Sequence, residues 1–311
     1  MTTTEYDLTW LDRDKPWWVK LRRADVHIRA AAGAVDAFQQ SLPWRVEAEP
    51  TDQPHVVAYR LQIDREPPSD LLAIVSDAVH NLRSALDAMT YDLAVRHLGT
   101  LTTKQEQATQ LPICKDDTAF QALLDKRISK GNQQAIRDLY GPGGVAGLRS
   151  VQPFALHSEA EACGVTRTRT AEDDLNADAL YRLNSVWTID KHRRLPRLVW
   201  FYQDMYYGGE PVTWRPAVVS RTIAPTGQIL GRHEFPSAEA VRPLTHTWRV
   251  TLALADDPFP WPLPVVGLLE RWHQTLNGWV IPRAFQTLVT GGPPPILISS
   301  PPGGWPGTAE R

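Results

Sequence analysis

Hydrophobic positions along the chain fall first into a helical rhythm. Trp18, Leu21, Ile28, Ala31, Val35 and Phe38 recur near a period of 3.6, which predicts a helix over about 17–40, stopped by Pro43. VVAYRLQID at 56–64 alternates as a strand does, and the turn-forming EPPSD follows it. The strongest pattern comes next: a helix from Ser69 or Asp70, either of which suits an N-cap, to about Leu98 before Gly99. At roughly 28 residues it is long enough to span a domain.

After the polar TLTTKQEQATQ comes a short apolar LPIC, then predicted helices over 117–129 and 132–140. The glycines of GPGGVAG break the pattern. A further helix is expected over Leu175 to His192, with Leu180, Leu183, Val186 and Trp187 on its inner face. From residue 197 the character changes: LVWFYQDMYY, VTWRPAVVSRTI, QILGRHEF and HTWRVTLALA are β-rich, and GGEP and APTG suit hairpin turns. A last amphipathic helix over 264–279, with a continuation past Pro282, precedes GGPPPILISSPPGGWPGTAER, whose composition is that of a disordered tail.

Composition narrows the function classes. Over 311 residues, 42% hydrophobic, the chain has material for a sizeable core. The net charge of −2 gives no overall basic excess of the kind nucleic-acid binders carry, so any such binding has to be local. Arg far outnumbers Lys, which with the abundant Ala, Pro and Trp suggests a GC-rich bacterial genome. Cys114 and Cys163 are too few for a disulfide framework or a cysteine-built zinc site, and no basic leader or long apolar run is visible. A cytoplasmic protein that does not enter a membrane is the expectation. Most of the 12 Trp are expected as core or interface anchors, with stacking on bases as the alternative.

Two polar clusters stand out. His80, Ser84, Asp87 and Tyr91 fall at i, i+4, i+7 and i+11 of the long helix and form one stripe, with Arg83 beside it. Such a stripe is either a site in which His80 is an acid, base or ligand, or a solvated face or structural network. In LNSVWTIDKHRRLPR, Asn184, Thr188 and Lys191 share a helix face, and Asp190, His192, Arg193 and Arg194 crowd its C-terminus. Cations at a helix C-terminus follow from the helix dipole, which accounts for Arg193 and Arg194 but not for Asp190 or Asn184.

HNLRSALD at 80–87, QPF at 152–154 and the L-x-x-L-N-x-x-x-x-x-D-K-H-R run from Leu180 together resemble a widespread group of bacterial proteins of uncharacterised activity with similar HNLRSALDH and NIDKHR segments. The resemblance spans roughly residues 20–195. In that group a His often follows the Asp, where this chain has Ala88. The resemblance implies no activity, but it groups His80, Asn81, Arg83, Asp87, Asp190, Lys191, His192 and Arg193 as a set. The Arg-x4–6-His spacing of HEPN-type ribonucleases occurs only at Arg22 and His27, and a chain this rich in Arg yields roughly two such spacings by chance. G-x-S-x-G, H-E-x-x-H, C-x-x-C and Walker motifs are absent; GPGGVA follows a helix rather than a strand, and His157 to Glu159 lack the second half of a deaminase signature.

The expectation is therefore a single α+β domain over residues 1–293. A helical bundle (about 15–195) surrounds the long helix, a small antiparallel sheet comes from the C-terminal third (about 196–256), and a final helix (about 264–289) packs back. Residues 294–311 form the tail. If the two polar segments meet, the expected function is an enzyme acting on an anionic small molecule or RNA, of hydrolase or ribonuclease type. His80, Asp87, Asp190 and His192 would then be catalytic, and Asn81, Arg83, Asn184, Lys191 and Arg193 substrate-binding. The alternative is a non-catalytic binding or assembly module in which the same residues form a structural network. A metal reading needs three ligands in reach, for which His80, Asp87 and His192 are the candidates. The sequence names no cofactor and no oligomeric state.

Overall fold

The computed structural model describes residues 12–129, 133–155, 178–191, 195–208, 213–217, 222–241, 244–255 and 263–290. Helix α1 (Pro16–Gln40) begins with proline in its first turn, where the missing N–H costs nothing. A hairpin follows, β1 (Trp44–Pro50) and β2 (Val56–Ile63), and then α2 (Ser69–Leu98), which at 30 residues is about 45 Å long. Its N-cap is Pro68 rather than Ser69 or Asp70, and Gly99 closes it at a positive φ of 78°. Short helices α3 (Thr103–Gln107) and α4 (Asp117–Leu124) come next; Asp116 caps α4 by accepting the Ala119 N–H at 2.7 Å. The expected helices over 117–129 and 132–140 are shorter than their pattern, since the second is a single 3-10 turn at Ile136–Leu139.

The glycine-rich stretch departs from expectation. Helix α5 (Gly141–Ser150) runs through GPGGVAG, because close packing outweighs poor local propensity. A Cβ on Gly147 would stand 2.6 Å from the Ala284 carbonyl oxygen, so glycine is what lets the two helices approach. Helix α6 (Ala179–Lys191) is capped by Asp178, whose Oδ1 accepts the N–H groups of Leu180 and Tyr181 at 2.8 and 3.0 Å.

The remaining elements are β3 (Leu198–Gly208), β4 (Thr213–Pro216), β5 (Thr222–Ile223), β6 (Ile229–Glu234), β7 (Thr245–Leu254), α7 (Val265–Thr275), a π-helical turn at Leu276–Val280, and α8 (Ile281–Thr290). Among the described residues these strands form two small antiparallel sheets, ordered β1-β2-β6-β4 and β5-β3-β7. The first draws half its strands from residues 44–63, so the β structure is not confined to the C-terminal third. The APTG turn forms with Gly227 at a φ of 80°; the GGEP turn, Cys163, Arg194 and the 294–311 tail lie outside the described residues.

The α+β class and the long central helix stand as expected. One hydrophobic cluster joins α1, α2, α5, α6, α7 and α8 to both sheets. Trp17, Trp18, Trp200 and Trp272 are buried in it, and Trp44, Trp187, Trp248 and Trp279 pack against it half-buried, so these aromatics anchor the core rather than offer an open stacking platform. Between the sheets, His233 Nε2 of β6 meets His246 Nε2 of β7 at 2.9 Å, with the Tyr59 ring 5.4 and 4.5 Å from the two imidazoles. Among the described residues no helix is long and apolar enough to cross a membrane.

Candidate functional site

The polar stripe of α2 divides by depth. His80 and Tyr91 are exposed, Ser84 and Asp87 half-buried, and Arg83 only 3% exposed. His80 Nε2 is 3.4 Å from Ser84 Oγ, and Tyr91 Oη is 3.4 Å from Glu106 Oε1. Asn81 spends its amide on its own helix, donating to the Asp77 carbonyl at 2.8 Å.

Arg83 and Asp87, one turn apart, act together on the backbone of a single residue. Arg83 Nη2 donates to the Leu111 carbonyl at 2.8 Å, and the Leu111 N–H donates to Asp87 Oδ1 at 3.0 Å. The ion pair itself is 3.0 Å long. Leu111 belongs to the LPIC segment, which is fastened on both sides. Thr90 Oγ1 hydrogen-bonds the Thr109 carbonyl just before it. From α5's end, the fully buried Gln152 accepts the Cys114 N–H at 3.0 Å and donates to the carbonyls of Pro112 and Leu148 at 2.8 and 3.1 Å. Among the described residues segment 109–114 has no strand neighbour, and these side chains satisfy backbone groups that a ladder would otherwise pair.

Electrostatics follow from burial. Burial pushes the Asp87 carboxyl above its usual range, while Arg83, the Leu111 N–H, Lys191 and His80 draw it back in part. The same burial lowers Arg83, against the pull of Asp87, although a guanidinium stays charged throughout. Both partners shift toward neutrality, so desolvation outweighs their attraction; such a pair fixes geometry more than it adds stability. Arg83 Nε and Nη1 and the hydroxyl of Tyr140 are buried without hydrogen-bond partners among the described residues. Burial and then the Asp87 charge raise Tyr140 well above the usual phenol range.

The second polar segment does reach the first. Trp187 of α6 lies under Arg83, whose Cζ is 4.9 Å from the ring centroid, and Lys191 Nζ is 4.8 Å from the same ring. Arg83 and Lys191 thereby share one indole, and Asp87, paired with Arg83, feels the charges of Lys191 and His80. Asn184 is half-buried, and its carbonyl accepts the Thr188 hydroxyl at 2.7 Å. The Asp190 side chain, His192 and Arg193 lie outside the described residues. Among the described residues no three His, Cys, Asp or Glu side chains are placed to hold a metal ion.

Sequence reasoning missed Leu111 as the partner of the α2 stripe, and Thr90 and Gln152 as the groups that fasten the same segment. The QPF and LPIC segments were visible signals, but nothing in their spacing ties them to α2. The Arg22 and His27 pair points two ways: Arg22 donates to the Arg13 carbonyl at 2.7 Å, while His27 Nδ1 is 4.0 Å from Asp77 of α2. No family model, curated protein or solved structure matches the chain.

Proposed function

We propose that the protein is a non-catalytic binding or assembly module, in which the HNLRSALD stripe is an internal clamp and its rim a contact surface for an anionic partner. One observation carries this reading: Arg83 and Asp87 hold the C=O and N–H of Leu111 together, so both side chains are engaged by the protein's own backbone. The rim that remains, His80, Ser84 and Lys191 beside Trp187, offers a cation and hydrogen-bonding groups at the surface.

The test compares a clamp residue with a rim residue. Asp87→Ala removes both the acceptor for the Leu111 N–H and the charge facing Arg83, and should lower stability by about 2 kcal/mol and speed exchange of the Leu111 amide. His80→Ala should leave both nearly unchanged, because the ring is exposed. Wild-type protection of Leu111 in the Asp87→Ala variant would refute the clamp.

The competing reading is a hydrolase or ribonuclease acting on RNA through His80, Asp87, Asp190 and His192. It draws support from the two cations on Trp187 beside Asp87. It requires RNA cleavage that His80→Ala abolishes while the melting temperature holds.

A further inference from the structure

A cleft of about 340 Å³ lies between α1 and the α7–α8 bend, and among the described residues none of the α2 stripe lines it. Trp18, Leu21, Arg22 and Asp25 line it from α1 at i, i+3, i+4 and i+7, one face of that helix. His273 of α7 and Asn277 of the π-helical turn line it from the other side. The π turn precedes Pro282, which has no N–H for the helical ladder, and wide turns of this kind recur at functional sites.

The cleft has an apolar floor and a cationic rim. Trp18 and Leu21 are 4% and 2% exposed, so they present only a narrow face. Arg13 stacks on Trp18, its Cζ 4.5 Å from the ring, and Arg22 Nη1 bonds the Arg13 carbonyl at 2.7 Å. Neither guanidinium has a carboxylate partner among the described residues. Among the described residues that line the cleft the one carboxylate, Asp25, is engaged by Arg29 at 2.6 Å. Two guanidinium groups without a carboxylate partner among the described residues, beside the narrow apolar face of Trp18 and Leu21 and with an imidazole and an amide opposite, match an anionic head on an apolar body.

We propose that this cleft is a binding site for a small organic anion, whose carboxylate or phosphoryl oxygens meet Arg13 and Arg22 and whose apolar body lies on Trp18 and Leu21. The proposal is independent of the role of the α2 stripe. It is tested by calorimetric titration of the full chain with phenyl phosphate, benzoate and inorganic phosphate. Saturable one-to-one binding of phenyl phosphate or benzoate is expected, and the stronger of the two identifies the head group. Inorganic phosphate should bind about tenfold more weakly, for want of an apolar body. Arg22→Gln and Arg13→Gln should each weaken binding about tenfold at an unchanged melting temperature, and Arg215→Gln, on β4, should not. Failure of both organic anions to saturate by about 10 mM, equal binding of inorganic phosphate, or full binding by both cleft variants would each overturn it.

Discussion

Gly147 of α5 lies against the backbone of Ala284 in α8, so closely that a Cβ there would stand 2.6 Å from the Ala284 carbonyl oxygen. The contact joins the last helix to the middle of the chain and sets the sign of a mutation. Gly147→Ala should destabilise by about 1–3 kcal/mol, because backbone has to move, although alanine is the better helix former. Gly33→Ala in α1, where nothing lies within 4 Å, should instead stabilise by about 1 kcal/mol. Urea unfolding of the two variants measures both; a stabilised Gly147→Ala would mean that the helices do not touch there.

Gln152 is fully buried and holds three backbone groups at once. Gln152→Ala strips partners from the Cys114 N–H and the Pro112 carbonyl and should cost about 3 kcal/mol. Chemical denaturation gives the number, and a cost under about 1 kcal/mol would mean that Gln152 does not fasten the 109–114 segment.

The imidazole of His233 is held down to about 4 by burial first and by His246 second. Its folded form stays neutral while the unfolded chain takes up a proton near 6.5, so its contribution to stability is complete above about pH 6.5 and is lost as pH falls from there to about 4. His246, also depressed by burial, acts in the same direction. The melting temperature should therefore fall over this window, and His233→Phe should flatten the fall. An unaltered slope in that variant would assign the effect to other groups.

Cys114 is 8% exposed, and burial followed by the charge of Asp116 pushes its thiol up. Both effects suppress the reactive thiolate. Iodoacetamide labelling at about pH 8, read peptide by peptide, should find Cys114 at least about tenfold slower than free cysteine until urea unfolds the chain. Labelling at the free-thiol rate in the folded protein would show an accessible sulfur.

The long α2 helix, α1 and the final helical region were legible in the sequence because a repeating apolar face is a local property, carried by residues three and four apart. The polar stripe of α2 was legible for the same reason, as was its candidate partner on α6. What the stripe touches was not. His80, Ser84 and Asp87 share a face by spacing, yet burial separates exposed His80 from Asp87, and Arg83 beside it is the most enclosed of the set. Only the tertiary structure brings Leu111 to Arg83 and Asp87 from 28 and 24 residues away, and Gln152 to the same segment. The helix through GPGGVAG and the strand Trp44–Pro50 were hidden likewise, since the first depends on the approach of α8 and the second on pairing with β2 along a face that is nowhere fully buried. Periodicity belongs to the chain itself; satisfaction of buried polar groups belongs to whichever distant segment arrives to meet them.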